Sequence, residues 1–261
     1  MESVSHFKKM QKKHVALVFR TLLLLTVISL SHAANSSEWS TRTIYQVLTD
    51  RFASPTNNPC PFVPPFSLPL NVYCGGTWAA LKSRLDYIRG MGFDAIWISP
   101  IVDQIQFNVN AGGQGIIQSC VLKNAYHISH GRTNWPFVFR YHGFWMRRLF
   151  DLNSRFGTRQ DLLDLIAAAH ARDMLVMVDV VANHVGPVDL NFTTIQPFNT
   201  SDSYHTKCQI VDWNNPEQVL LCRLFDLPDL NQTNPSVRAF LLQWVSSLQD
   251  MGFDGLRVDT V

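Results

Sequence analysis

The sequence predicts an α/β fold built on a parallel sheet, and three observations carry that expectation. Amphipathic helical stretches alternate with short strands that are apolar on both faces, the pattern of a sheet covered by helices. One design, a helix, a tight turn and then an apolar strand, recurs three times. The phrase Met-Gly-Phe-Asp falls at the same point of two copies, at residues 91–94 and 251–254.

The elements follow in order. An opening strand covers Ile44 to Leu48 and runs into Thr49-Asp50-Arg51-Phe52. Leu81, Leu85 and Ile88 share one face of a helix over Leu81–Arg89, which Gly90 and Gly92 end, and Ala95 to Ser99 then reads as a buried strand. The second copy has a helix over Gln160–Ala169, a turn at Arg172-Asp173 and a strand over Met174–Val181. The third has a helix over Val237–Leu248, a turn at residues 250–254 and a strand over Gly255–Asp259. Four such strands form either an open, doubly wound sheet or the first half of a closed (β/α)8 barrel. No Gly-x-Gly-x-x-Gly follows any strand, which speaks against a dinucleotide-binding sheet.

Two stretches break the alternation. Residues 183–233 are rich in Asn, Asp, Pro and aromatic residues, and read as a small domain inserted after the third strand. Residues 102–140 show no period and predict a poorly packed excursion. His127 and His130 lie within it, without the wider pattern of a metal site.

Of 261 residues, 46% are hydrophobic and 16% charged, which excludes a disordered chain, a collagen and a coiled coil. The formal charge of +2 comes from the first 33 residues, which hold five of the 22 Lys and Arg and one of the 20 Asp and Glu. The remainder carries 17 basic against 19 acidic residues, a net charge of −2, and gives no electrostatic ground for a nucleic-acid partner. Residues 1–33 read as a secretory signal. Lys8 to Arg20 form a positive region, Thr21 to Leu30 an apolar run of ten, and Ser31-His32-Ala33 a small-residue cleavage site. Ten apolar residues are too few to span a bilayer core of roughly 30 Å as a helix. The expectation is a secreted, extracellular protein without a membrane partner once the signal is removed.

Secretion changes how the five cysteines are read. None forms a Cys-x-x-Cys pair, so zinc is not indicated. Cys60 with Cys74, and Cys208 with Cys222, lie 14 positions apart and suit local bridges, leaving Cys120 over. Four Asn-x-Ser/Thr sites, at Asn35, Asn191, Asn199 and Asn231, are candidate glycosylation positions.

Chemistry in a parallel sheet collects at the carboxyl ends of the strands. There the sequence places Asp50-Arg51, then Asp179 with Asn183-His184, then Arg257-Val258-Asp259. Arg257 and Asp259 fall on one face of their strand. A neighbouring guanidinium favours the ionised carboxylate, the state a covalent nucleophile needs.

These stretches resemble glycoside hydrolase family 13, the α-amylase family, and within it the secreted fungal α-amylases. The similarity rests on IYQVLTDRF (Ile44 to Phe52), CGGTW (Cys74 to Trp78), LDYIRGMGFDAIWISP (Leu85 to Pro100), YHGFW (Tyr141 to Trp145), VDVVANH (Val178 to His184), LPDL (Leu227 to Leu230) and GLRVDTV (Gly255 to Val261). Their shared order is far more specific than any one of them.

The resemblance implies a (β/α)8 TIM barrel of which about the first half is present. Its layout would be a signal at 1–33, the first part of the barrel at 34–182 with the irregular insert 102–140, an inserted calcium-linked domain at 183–233, and a return to the barrel at 234–261. It implies retaining cleavage of α-1,4-glucosidic bonds in starch or glycogen, with Asp259 as nucleophile and Arg257 orienting it. His142, Phe144, Trp145 and His184 would bind the sugar. Asn183 and Asp229, with the backbone carbonyl of Leu220, would hold Ca²⁺, a hard cation suited to oxygen ligands. Asp179 would support Arg257. The resemblance also implies the local disulfide pairing and a monomer that binds an α-glucan.

The departures bear on function. Phe144 stands where the family usually has tyrosine; it keeps an aromatic face and lacks the hydroxyl. A retaining glycosidase pairs its nucleophile with a second carboxyl group about 5 Å away. In the family that glutamate and a third aspartate lie on later strands, so these 261 residues are expected not to hydrolyse starch on their own. An α-glucosidase or transglycosylase of the same family, or a non-catalytic carbohydrate-binding fragment, are the alternatives.

Overall fold

A computed structural model describes residues 34–56, 73–105 and 141–260. The expected signal at 1–33, Cys60, Cys120, His127 and His130 lie outside them.

Four parallel strands form one sheet in the order β1-β2-β5-β6: β1 (Ile44–Val47), β2 (Ala95–Ile98), β5 (Leu175–Val181) and β6 (Gly255–Asp259). The pairing runs Ile44↔Ala95, Ala95↔Leu175 and Met177↔Gly255, so all four carboxyl ends point the same way. Ala95, Ile96, Ile98, Val176 and Val178 are fully buried, as apolar runs predict for a sheet covered on both faces. This is the strand arrangement of a partial (β/α)8 barrel.

Local sequence explains the helices. α1 (Ser36–Trp39) starts at Asn35 and α2 (Thr49–Phe52) is one turn after β1. α3 (Trp78–Lys82) is capped by Thr77, whose hydroxyl accepts from Ala80 N at 3.1 Å. The expected single helix over Leu81–Arg89 is two pieces, α3 and α4 (Leu85–Gly90), because the chain turns at Ser83-Arg84 and lets both Leu81 and Leu85 reach the core. α5 (Arg159–His170) opens with a reciprocal capping box between Thr158 and Asp161, and buries Leu162, Leu165, Ile166 and Ala169 along one stripe. α6 (Pro216–Leu221) and α7 (Pro235–Asp250) each begin with an Asn cap followed by proline at the first helical position. Among the described residues no helix is long and apolar enough to cross a membrane.

The repeated Gly-Phe-Asp turn has a structural explanation. Asp94, entering β2, accepts from the backbone N–H of Thr43 at 2.6 Å. Asp254, entering β6, accepts from Val176 N at 2.7 Å and from His170 Nε2 at 2.8 Å. In both cases the aspartate satisfies an N–H at the start of the neighbouring strand and fixes the register there.

The structure corrects the reading of residues 102–140 at its start. Val102–Gln104 is strand β3, buried throughout, and pairs antiparallel with β4 (Met146–Leu152). Register shifts break the alternation, which is why neither strand shows a clean period of two. Residues 106–140 lie outside the described residues.

Residues 183–233 hold short turns, α6 and isolated bridges. They are not a separate core: Phe192, Ile195, Phe198, Tyr204 and Leu230 pack into the same apolar cluster as the sheet. Leu149 N donates to Gln196 O, and Gln196 N to Arg147 O, each at 2.8 Å, which ties this segment to β4.

Candidate active site at the carboxyl ends of the strands

Asp179 and Arg257 are direct partners in the β5–β6 register, and Val181 faces Asp259 one repeat further along. Arg257 Nη1 lies 3.1 Å from Asp179 Oδ1 and also hydrogen-bonds Asp259 Oδ1. One guanidinium nitrogen thus serves both carboxylates. Asp179 is 2% exposed, while the Asp259 side chain keeps 17% of its surface, enough to face a ligand. Burial pushes the Asp179 carboxyl above its ordinary range, opposed by its bonds to Arg257 and Trp97. Burial also pulls the Arg257 guanidinium down, but the two carboxylates outweigh that and raise it.

Trp97 completes this group. Its Nε1–H donates to Asp179 Oδ2 at 3.0 Å, and its ring centroid is 5.2 Å from the Arg257 guanidinium carbon. Sequence reasoning missed it, because a tryptophan in an apolar strand reads as core.

His184 is 3% exposed. Its Nε2 lies 3.2 Å from the Phe144 carbonyl, which only accepts, so Nε2 carries the hydrogen. Its Nδ1 can then accept from Asn183 Nδ2, 3.4 Å away. Burial holds the imidazole below its ordinary pKa, and the charge of Asp259 acts in the opposite direction. His184 and Asp259 therefore share one electrostatic environment, with both ring nitrogens of His184 engaged by protein.

His142, Phe144 and Trp145 form an aromatic wall. His142 stacks on Phe144 at 5.7 Å between centroids and 28° between planes, and meets Trp145 edge-on at 5.5 Å. His142 Nδ1 accepts from Phe144 N at 3.0 Å. The turn needs Gly143: its φ is +94°, and a Cβ there would sit 2.7 Å from Pro100 Cδ, just past β2. Trp145 is held by its backbone, since its N–H donates to Gln104 Oε1 at 2.6 Å and its carbonyl accepts from Ile105 N at 3.0 Å. At the other end, the Arg51 guanidinium lies over the Tyr141 ring at 3.6 Å.

Asn183 and Asp229 also come together. Leu230 N donates to Asn183 O at 2.8 Å, and the Asn183 side chain bonds the Asp229 carboxylate. Asp229 is 2% exposed, and burial raises its pKa against the pull of His205, whose Nδ1 is 2.7 Å from Oδ2. Asn183 makes its bond to Asp229 through its amide nitrogen, and the Asp229 carboxylate and the Asn183 amide oxygen are the hard donors present for a cation. His205 carried no signal in the sequence. Leu220 stands on α6 with its side chain exposed, and its carbonyl belongs to the last helical turn, where intrahelical donors run out. Among the described residues, no group of three or more His, Cys, Asp or Glu is placed to hold a metal ion.

Cys208 and Cys222 are bridged. Cys74 is disulfide-bonded, and its expected partner Cys60 lies outside the described residues. Asn35, Asn191 and Asn199 are exposed and Asn231 is half-buried.

Residues 46–261 match the family model for the alpha-amylase catalytic domain. The chain is 36% identical over 248 residues to alpha-amylase mde5 of Schizosaccharomyces pombe, covering 92% of this chain and 42% of that protein. It is 35% identical to alpha-amylase 1 of Lipomyces kononenkoae, covering 92% of this chain and 35% of that one. Among solved structures, an alpha-amylase from Malbranchea cinnamomea superposes with a TM-score of 0.69 at 38% identity, over 87% of this chain and 44% of its own. The chain thus spans about two fifths of the length of such relatives. With a parallel sheet, the Arg257 cluster and these matches in agreement, the chain belongs to the alpha-amylase family of glycoside hydrolases.

Proposed function

We propose that this chain supplies the nucleophile side of a retaining hydrolase acting on α-1,4-glucosidic bonds in starch or glycogen. The observation that carries the reading is the Arg257 guanidinium shared between buried Asp179 and part-exposed Asp259 at the strand ends. A cation held there sets positive charge and a hydrogen bond beside the Asp259 carboxylate, on a strand whose pairing is fixed by β5. That oxygen attacks the anomeric carbon as the glycosidic C–O bond breaks, giving a glycosyl-enzyme ester that water then hydrolyses. Proton delivery to the leaving oxygen is a role assigned to no residue of this sequence. His142, Phe144 and Trp145 offer aromatic surface for a pyranose ring, and His184 lines the same region.

Ca²⁺ fits the donor set at Asn183 and Asp229, with the Leu220 carbonyl as a third candidate. When bound, it would neutralise the buried Asp229 charge and tie residues 183–233 to the end of β5. The signal-like residues 1–33, the cysteine bridge and the four glycosylation motifs support a secreted glycoprotein. The remaining net charge of −2 suits an uncharged polysaccharide and not nucleic acid, and we read the protein as a monomer.

The test is trapping with 5-fluoro-α-D-glucosyl fluoride, whose fluoride leaves without acid assistance. The Asp259 oxygen forms the bond to C1 and fluoride carries away the electron pair. Peptide mapping should place the adduct on Asp259, and Asp259→Asn should abolish it. No adduct, or one that survives this substitution, would overturn the assignment.

A further inference from the structure

Asp179 has two side-chain partners. Oδ2 accepts from the Trp97 indole at 3.0 Å, and Arg257 Nη1 lies 3.1 Å from Oδ1 and 3.4 Å from Oδ2. The same Nη1 makes the bond to Asp259. Any swing of the guanidinium toward Asp179 must therefore lengthen its contact with Asp259. A carboxylate rotates readily about its last torsion, so its direction is set by the groups that hold its oxygens. Besides Arg257 itself, the shorter contact to Oδ2 comes from a rigid bicyclic ring on β2, whose face also lies beside the guanidinium at 5.2 Å.

We propose that Trp97 is a positioning residue, whose N–H fixes the Asp179 carboxylate and whose ring face confines Arg257 to the orientation from which it reaches Asp259. The consequence for catalysis rests on reading Asp259 as the nucleophile; the linkage from Trp97 to Arg257 does not. Losing the N–H frees Asp179 to rotate and lets Arg257 turn both nitrogens onto it. It also removes one of the two hydrogen-bonding partners that oppose the burial of Asp179, so that carboxyl takes up its proton at higher pH.

Trp97→Phe removes the donor and keeps an aromatic face. Carboxyl ¹³C titration should show Asp179 shifted upward by about one pH unit, the scale of one hydrogen bond to an ionised group. Labelling of Asp259 by the glycosyl fluoride should slow about tenfold at neutral pH, with an unaltered circular dichroism spectrum. An unchanged Asp179 titration overturns the proposal. Should the variant fail to fold, the wild-type Trp97 indole ¹⁵N–¹H resonance decides. It should move with the ionisation of Asp179, and a resonance that shows no such step overturns the proposal. Absence of labelling in the wild type defeats the nucleophile reading alone, while both spectroscopic tests still judge Trp97.

Discussion

Arg257 and Asp179 sit opposite each other in the β5–β6 register, so backbone pairing alone delivers the guanidinium to a carboxylate that is 2% exposed. Replacing Arg257 by Ala leaves that carboxylate with the Trp97 indole and without a counter-charge. The Arg257 side chain is itself 36% exposed, and water can fill part of the gap. The expected loss is about 1–3 kcal/mol in urea unfolding. Arg257→Lys should recover only part of it, because an ammonium does not reproduce the planar fork. An Ala variant with wild-type stability would show that Asp179 does not need its arginine.

Gly76 is the tightest backbone contact in the CGGTW stretch. Its N–H donates to the Asp50 carbonyl at 2.9 Å, and a Cβ at this position would fall on the Thr49 and Asp50 carbonyl groups. Both obstacles are backbone, so no side chain can swing aside. Gly76→Ala should destabilise the protein by about 1–3 kcal/mol and disturb the end of β1, where Asp50 accepts from Cys74 N and Gly75 N. Thermal melting of the variant checks this, and a midpoint equal to wild type would contradict it.

His170 donates to Asp254 at the base of the sheet, and that bond raises the histidine pKa in the folded state. Protonation therefore favours folding. The stabilisation is complete below the unfolded value of about 6.5 and is lost as pH rises through the higher folded value. The His170 side chain is 39% exposed, so solvent screening keeps the effect below about 1 kcal/mol. The gap in stability between wild type and His170→Gln should be wider at pH 5.5 than at pH 8.5. A gap that is constant, or wider in alkali, would refute the coupling.

The parallel sheet was legible because its strands are apolar on both faces and its helices carry clean stripes such as Leu162, Leu165, Ile166 and Ala169. Arg257, Asp259 and Asp179 were legible because polar residues at the ends of apolar strands stand out. β3 and β4 were not, since their pairing is irregular and charged residues such as Asp103 are buried through a partner distant in sequence, here Arg147 Nη2 at 2.6 Å. Trp97 and His205 were invisible for a related reason. Each matters through one hydrogen bond to a carboxylate 82 or 24 positions away, and no local pattern announces it.

His184 gives the site a mechanical property. Its backbone bridges to Asp229, while its ring donates to the carbonyl of Phe144 in the aromatic wall. A single residue after β5 thus links two loops, beside the backbone bond from Gly186 N to Met146 O at 2.8 Å, as an axle joins two wheels. Loosening of residues 183–233, whether by heat or by reduction of Cys208–Cys222, would be transmitted to the wall of His142, Phe144 and Trp145 before the strands beneath begin to yield.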